Sequence, residues 1–181
     1  MTEALAAPSP SMLSKKSVQK LAESISKQLG VTPGCDFREA ISKLGGKIEW
    51  REVWDSGGTD SGSAEIRREG DFTIYLSTST TEERDRFTLA HEVGHYVLHY
   101  LWPVKHGKAL GAIRVSRYGS TRVEWEANWF AAAFLMPEAD FRAAYEQFHG
   151  SIVAIADHFR VSTMAASIRA QSLNLPSNEL G

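Results

Sequence analysis

"LAHEVGHYVL" (residues 89–98) places two histidines four positions apart in an apolar run, with a glutamate beside the first. On a helix, residues four apart project about 40° from each other, one turn above the other, so both imidazoles face the same way. Each can then offer a nitrogen at about 2.0–2.1 Å to one tetrahedral Zn²⁺. Glu92, about 100° round the helix from His91, falls beside such an ion rather than on it. From there it can take a proton from a bound water and pass one to a leaving amine. His91, Glu92 and His95 thus form H-E-x-x-H, the pattern of a helical metal site with a general base.

A catalytic zinc needs a third protein ligand and an open fourth position. A histidine ten residues after His91 would supply it, but that position is Leu101. The other solution is a carboxylate from a second helix. "EWEAN" (residues 124–128) offers Glu124, with Asn128 four residues on and Ala127 and Ala131 on the same face. Those small side chains allow close approach to the first helix, and Gly94 allows it from the other side. Asn128 could accept a hydrogen bond from the second nitrogen of a ligating imidazole and fix its tautomer. Glu126 is the rival ligand. Its face continues into Phe130 and Ala133, which reads as packing surface, so Glu124 is favoured and Glu126 is expected to be a solvated or salt-bridged surface acid. His99 continues the row, but the axis rises about 12 Å from His91 by that point. One ion cannot bridge that span, and His99 is read as capping or hydrogen bonding near the helix end.

Outward from this helix, the chain alternates structure types in a recognisable order. Residues 1–16 are rich in Ala, Pro and Ser and read as a flexible leader. Val18, Leu21, Ile25 and Leu29 form a helical stripe ended by Gly30. A short helix is expected over residues 36–44. "KIEWREVW", "AEIRR" and "FTIYLS" read as strands, the last two joined at "EGD" in a tight hairpin. Thr80 with Glu83 fits a capping box for the metal helix, and Pro103 marks its end. An irregular stretch to about Thr121 precedes a second strong helix that stops at Pro137. Residues 138–181 then hold two or three helices. The expectation is an α+β fold, with a small N-terminal sheet and zincin-type helices in residues 17–137 and a helical C-terminal segment packed on that core.

The 181 residues are 43% hydrophobic and 23% charged, with a net charge of −2. That is ordinary globular composition, and it does not favour a polyanionic partner. A single cysteine, Cys35, excludes an internal disulfide. No apolar run reaches the roughly 18 residues of a membrane span, and the N-terminus lacks the order of a secretory signal. A cytoplasmic protein is expected. No acidic residue falls between Val93 and Val123, where Lys105, Lys108, Arg114, Arg117 and Arg122 could steer an acidic partner. Tyr118 in this stretch is a candidate electrophile for a tetrahedral intermediate, with His106 and Arg117 behind it. "FTIYLS" is either an edge strand on which a substrate could lie extended or an ordinary core strand.

Taken together, "FTLAHEVGHYVLH", "EWEANWFAAAFLMP" and "IADHFRVSTMAASIRAQSL" resemble the ImmA/IrrE family of zinc metallopeptidases, over residues 17–175. The resemblance implies a thermolysin-like core followed by a helix-turn-helix-like segment. It implies His91, His95 and Glu124 as ligands of one Zn²⁺ and Glu92 as catalytic base. The implied substrate is a helix-turn-helix repressor, cleaved in stress response or mobile-element regulation. Some members carry a further sensory domain, and none is expected in a chain ending at Gly181. Two nitrogens and a carboxylate also suit Mn²⁺ or another divalent ion. The alternative reading is a non-proteolytic, metal-containing regulator or toxin-like partner that acts by binding protein. Direct DNA binding is not favoured, because only Arg169 and Gln171, with Arg160 in the turn, are placed to read a duplex.

Overall fold

The strand Asp71–Ser77 is buried along nearly its whole length, as expected of a strand with neighbours on both sides. In the computed structural model, which describes residues 5–52, 63–116 and 121–176, it occupies an inner position of a four-stranded sheet. With β1 as Gly46–Arg51, β2 as Ser63–Arg68, β3 as Asp71–Ser77 and β4 as Ile113–Ser116, the order is β1-β3-β2-β4. β1 runs parallel to β3, with Ile48 opposite Ile74. β2 is antiparallel to β3 and to β4, aligning Ala64 with Ile74 and with Val115. β1 is mostly exposed beyond its first residue, which fits its place at the edge. Of the two readings of β3, the core strand holds rather than the edge strand open to a substrate: both its sides are already paired. β4 was not expected at all, being a four-residue strand inside the basic stretch.

Helix α1, Lys15–Gln28, and α2, Arg38–Lys43, precede the sheet. The metal-motif helix α3, Glu82–His95, begins at N-cap Thr81, whose side chain accepts from Arg84 N–H at 3.4 Å. The cap is one residue later than the predicted Thr80, which instead donates to the Ser77 carbonyl at 3.0 Å. After His95 the helix does not stop. It widens into a π-helical turn, Tyr96–Leu101, and ends in α4, Trp102–Lys105. Pro103 does not terminate this continuous helical run, which carries on through it to Lys105 directly after the π-helical widening.

α5, Arg122–Leu135, crosses α3, and its Phe130, Ala131, Ala133 and Phe134 are buried in the common core with Val93, Leu98, Phe72 and Ile74. The close approach expected at Gly94 is present: a Cβ there would lie 3.1 Å from the Phe130 side chain. Ala127 and Ala131 are fully buried on the facing helix. α1 packs on the other side of α5, where Ser26 Oγ donates to the Phe134 carbonyl at 2.9 Å. α6, Glu138–Gln147, α7, Ile152–Phe159, and α8, Thr163–Ser172, complete the chain. Arg160 in left-handed backbone makes the turn between α7 and α8.

The described part of the N-terminal segment makes specific backbone contacts. Ala6 pairs with β4 through Arg114 N–H at 2.9 Å and the Ala112 carbonyl at 3.1 Å. Ser11 and Met12 donate their backbone N–H groups to Glu126 at 2.8 and 3.1 Å.

Candidate metal centre

α3 and α5 cross where each has a functional side chain in place. His91 and His95 lie one turn apart on α3, and Glu124 stands in the first turn of α5, behind N-cap Thr121. A carboxylate in a first turn is favoured by the helix dipole. His91 Nε2 is 2.9 Å from His95 Nε2 and 3.2 Å from Glu124 Oε2, while His95 Nε2 is 3.3 Å from Glu124 Oε1. Among the described residues these three form the group of His, Cys, Asp and Glu side chains able to share a cation.

The hydrogen bonds around the group decide what it can hold. Asn128 Oδ1 only accepts, so His91 Nδ1, 2.9 Å away, carries the proton and leaves the Nε2 lone pair facing the cluster. Burial pushes the His95 pKa down to about 3, against the opposing pull of Glu124, so that this imidazole is neutral. Burial would raise the pKa of Glu124, but its contacts with His91 and His95 outweigh that and hold it well below the usual carboxylate range. Two neutral nitrogens and one carboxylate oxygen therefore converge. A proton can bridge one pair of them at a time. A divalent ion satisfies all three at once, and tetrahedral bonds of about 2.0–2.1 Å separate ligand atoms by about 3.3 Å. The residues fit a metal.

Glu92 is fully buried beside His91 on α3. Glu126, expected as a surface acid, is instead 0% exposed. It is indeed ion-paired, with Arg122 at 2.8 Å, and it also accepts from His99 Nε2 at 3.1 Å. Burial opposes its ionisation, but the hydrogen bonds from His99, Arg122 and Ser11 win and lower its pKa to about 2. His99 meets the triad only through the outer nitrogen of His95, with the two Nδ1 atoms 2.9 Å apart. That agrees with the hydrogen-bonding role expected for it. Tyr118 and Arg117 lie outside the described residues. His106 is exposed at the end of α4, bonded to the Trp102 carbonyl at 2.7 Å, and takes no part in the cluster. Three of the steering cations are neutralised locally: Lys105 by Glu69, Arg114 by Glu65 and Arg122 by Glu126.

The triad opens into a cleft of about 1110 Å³. His91 and Phe87 of α3, Glu124 and Asn128 of α5, and Met164 and Ile168 of α8 line it. Sequence reasoning did not place α8 there. Its Met164 and Ile168, apolar residues four apart, are 68% and 55% exposed. Arg169, counted as a DNA-facing residue, is 1% exposed and turned inward, donating to the Met136 carbonyl at 2.9 Å and to Glu23 at 3.0 Å.

No helix among the described residues is long and apolar enough to cross a membrane. No curated protein matches the chain. A solved structure described as a Mycobacterium tuberculosis transcriptional regulator is similar in fold, with a TM-score of 0.61 at 19% identity. The match covers 88% of this chain and 57% of that one, so the chain spans a little over half the length of its structural neighbour. The family model for the IrrE N-terminal-like domain, Peptidase_M78, matches residues 58–171. That span is more than half of the chain, contains the whole triad and runs on through α8, so the protein belongs to the Peptidase_M78, IrrE N-terminal-like family.

Proposed function

We propose that the chain is a zinc-dependent endopeptidase that cleaves a specific protein, a helix-turn-helix transcriptional repressor, in stress response or mobile-element regulation. The observation that carries the reading is the convergence of His91, His95 and Glu124 at the end of an open cleft, with Glu92 on the same helix. His91, His95 and Glu124 would hold the ion, which when bound lowers the pKa of water and polarises a carbonyl. Glu92 takes the proton from the attacking water and returns it to the leaving nitrogen. Asn128 holds the His91 imidazole in the tautomer that leaves Nε2 free. The cleft between α3, α5 and α8 takes an extended or helical stretch of the substrate, its apolar side chains against Met164 and Ile168. The same exposed apolar pair, together with the inward turn of Arg169, supports protein over duplex DNA as the partner of α8. Residues 17–137 are proposed as the catalytic unit and 138–181 as a segment that completes the cleft. The cytoplasm is the proposed location.

The test is incubation with a helix-turn-helix repressor encoded by a neighbouring gene, with and without a chelator. Cleavage is expected only with metal present. Glu92→Gln should keep its metal and lose about 10²–10⁴-fold in cleavage rate. A second reading, a regulator that acts by binding, draws support from the structural neighbour's description as a transcriptional regulator. A Glu92→Gln protein that retains metal and full cellular function would decide for that second reading.

A further inference from the structure

Glu126 is unusual in receiving four donors on two oxygens: the N–H groups of Ser11 and Met12, Arg122 Nε, and His99 Nε2. Three of these groups can only donate. The carboxylate is thus an obligate acceptor, and His99 must present Nε2–H to it. The other nitrogen of His99, Nδ1, is then left to accept, and its partner at 2.9 Å is His95 Nδ1. His95 must donate from Nδ1, which frees its Nε2 for the triad. The direction of every hydrogen bond from Ser11 to the triad is fixed by the first.

The leader is bent to serve this end. Met12 adopts left-handed backbone, φ +62°, without being glycine, a conformation that is sterically unfavourable for a residue with a Cβ. Its side chain is largely exposed. What the bend achieves is two successive N–H groups aimed at one carboxylate, a backbone anion nest. Arg122 ties the same corner down by also donating to the Leu13 carbonyl at 2.6 Å.

We propose that Glu126 and His99, clasped by the backbone of residues 11–13, are positioning residues that fix the His95 imidazole in its metal-binding orientation and tautomer. The proposal rests on the reading of His91, His95 and Glu124 as metal ligands. His91 has a short anchor in Asn128. His95 has a longer one, which runs through His99 and Glu126 and ends in the N-terminal segment. Loss of such an outer partner weakens metal affinity by about 10–100-fold.

The experiment is zinc competition against a chromophoric chelator on the full chain, for wild type, His99→Phe and His99→Gln. Phenylalanine fills the space with neither donor nor acceptor, whereas glutamine can accept from His95 and donate to Glu126. His99→Phe is expected to bind zinc 10–100-fold more weakly, and His99→Gln to stay within about threefold of wild type on the same reasoning. A folded His99→Phe protein with wild-type affinity overturns the proposal. Should His99→Phe fail to fold, long-range ¹⁵N–¹H spectra of the zinc-loaded wild type decide. His95 protonated at Nδ1 and His99 at Nε2 support the relay, and the opposite pair of tautomers overturns it. Wild type that retains no zinc at all would instead sink the metal reading beneath it.

Discussion

At the scale of the residue, the chemistry of the centre depends on which groups are charged when no metal neutralises them. His95 has a pKa lowered from 6.5 to about 3 by burial. The unfolded chain therefore binds a proton below about pH 6.5 that the folded chain refuses until about pH 3. Stability is fully present above pH 6.5 and falls as the pH drops through that window. Glu124 and Glu126, whose values are lowered from 4.5, contribute stability that is lost only below about pH 4.5. Urea midpoints of chelator-treated protein should accordingly begin to decline near pH 6.5, and His95→Asn should remove the decline between pH 6.5 and 4.5. A flat wild-type profile above pH 4.5 would contradict the assignment. The triad itself was legible in the sequence, because i,i+4 spacing on two helices leaves little freedom. The fate of Glu126 was not. Its burial is created by Ser11, Met12 and His99, which lie 27 to 115 residues away in the chain, and helical spacing carries no such information.

At the scale of the element, the crossing of α3 and α5 sets how far apart His91, His95 and Glu124 stand. Gly94 permits that crossing, since a methyl group there would press on Phe130 at 3.1 Å. Gly94→Ala gains helix propensity but overpacks the contact, and should cost about 1–3 kcal/mol, read as a lower urea midpoint with unchanged slope. If the substitution stabilises the fold, the two helices are not in the close contact described. Strong periodicity made α1, α5 and the start of α3 readable within one or two residues. β4 escaped notice because four residues, Ile113–Ser116, show too little alternation to stand out among basic neighbours. Pro103 misled because proline ordinarily stops a helix interior, whereas here the helical run carries through it for two more residues after the π-helical widening.

At the scale of the whole molecule, the C-terminal helices are held to the core by a buried cation. Arg169 of α8 reaches the Met136 carbonyl at the end of α5 and Glu23 of α1, and Glu23 also accepts the first N–H of α6 at 3.0 Å. One carboxylate thus gathers three helices. Arg169→Met would leave the Met136 carbonyl unpaired in the interior and should cost about 1–3 kcal/mol, measured by denaturant unfolding. A neutral outcome would mean that α8 is held by apolar packing alone. The α+β plan and the order of its parts could be read from the pattern of strands and amphipathic helices. That α8 forms a wall of the cleft could not, because a helix-turn-helix pattern specifies the angle within the pair but not where the pair docks.

The widened turn at Tyr96–Leu101 amounts to an α-helix with one residue too many. Removal of any residue between His95 and His99 would let the helix rewind to its ordinary pitch and swing the later imidazole away from Glu126 by about 100°. A single-codon deletion here would sever the N-terminal segment from the crossing of α3 and α5 while leaving H-E-x-x-H itself untouched.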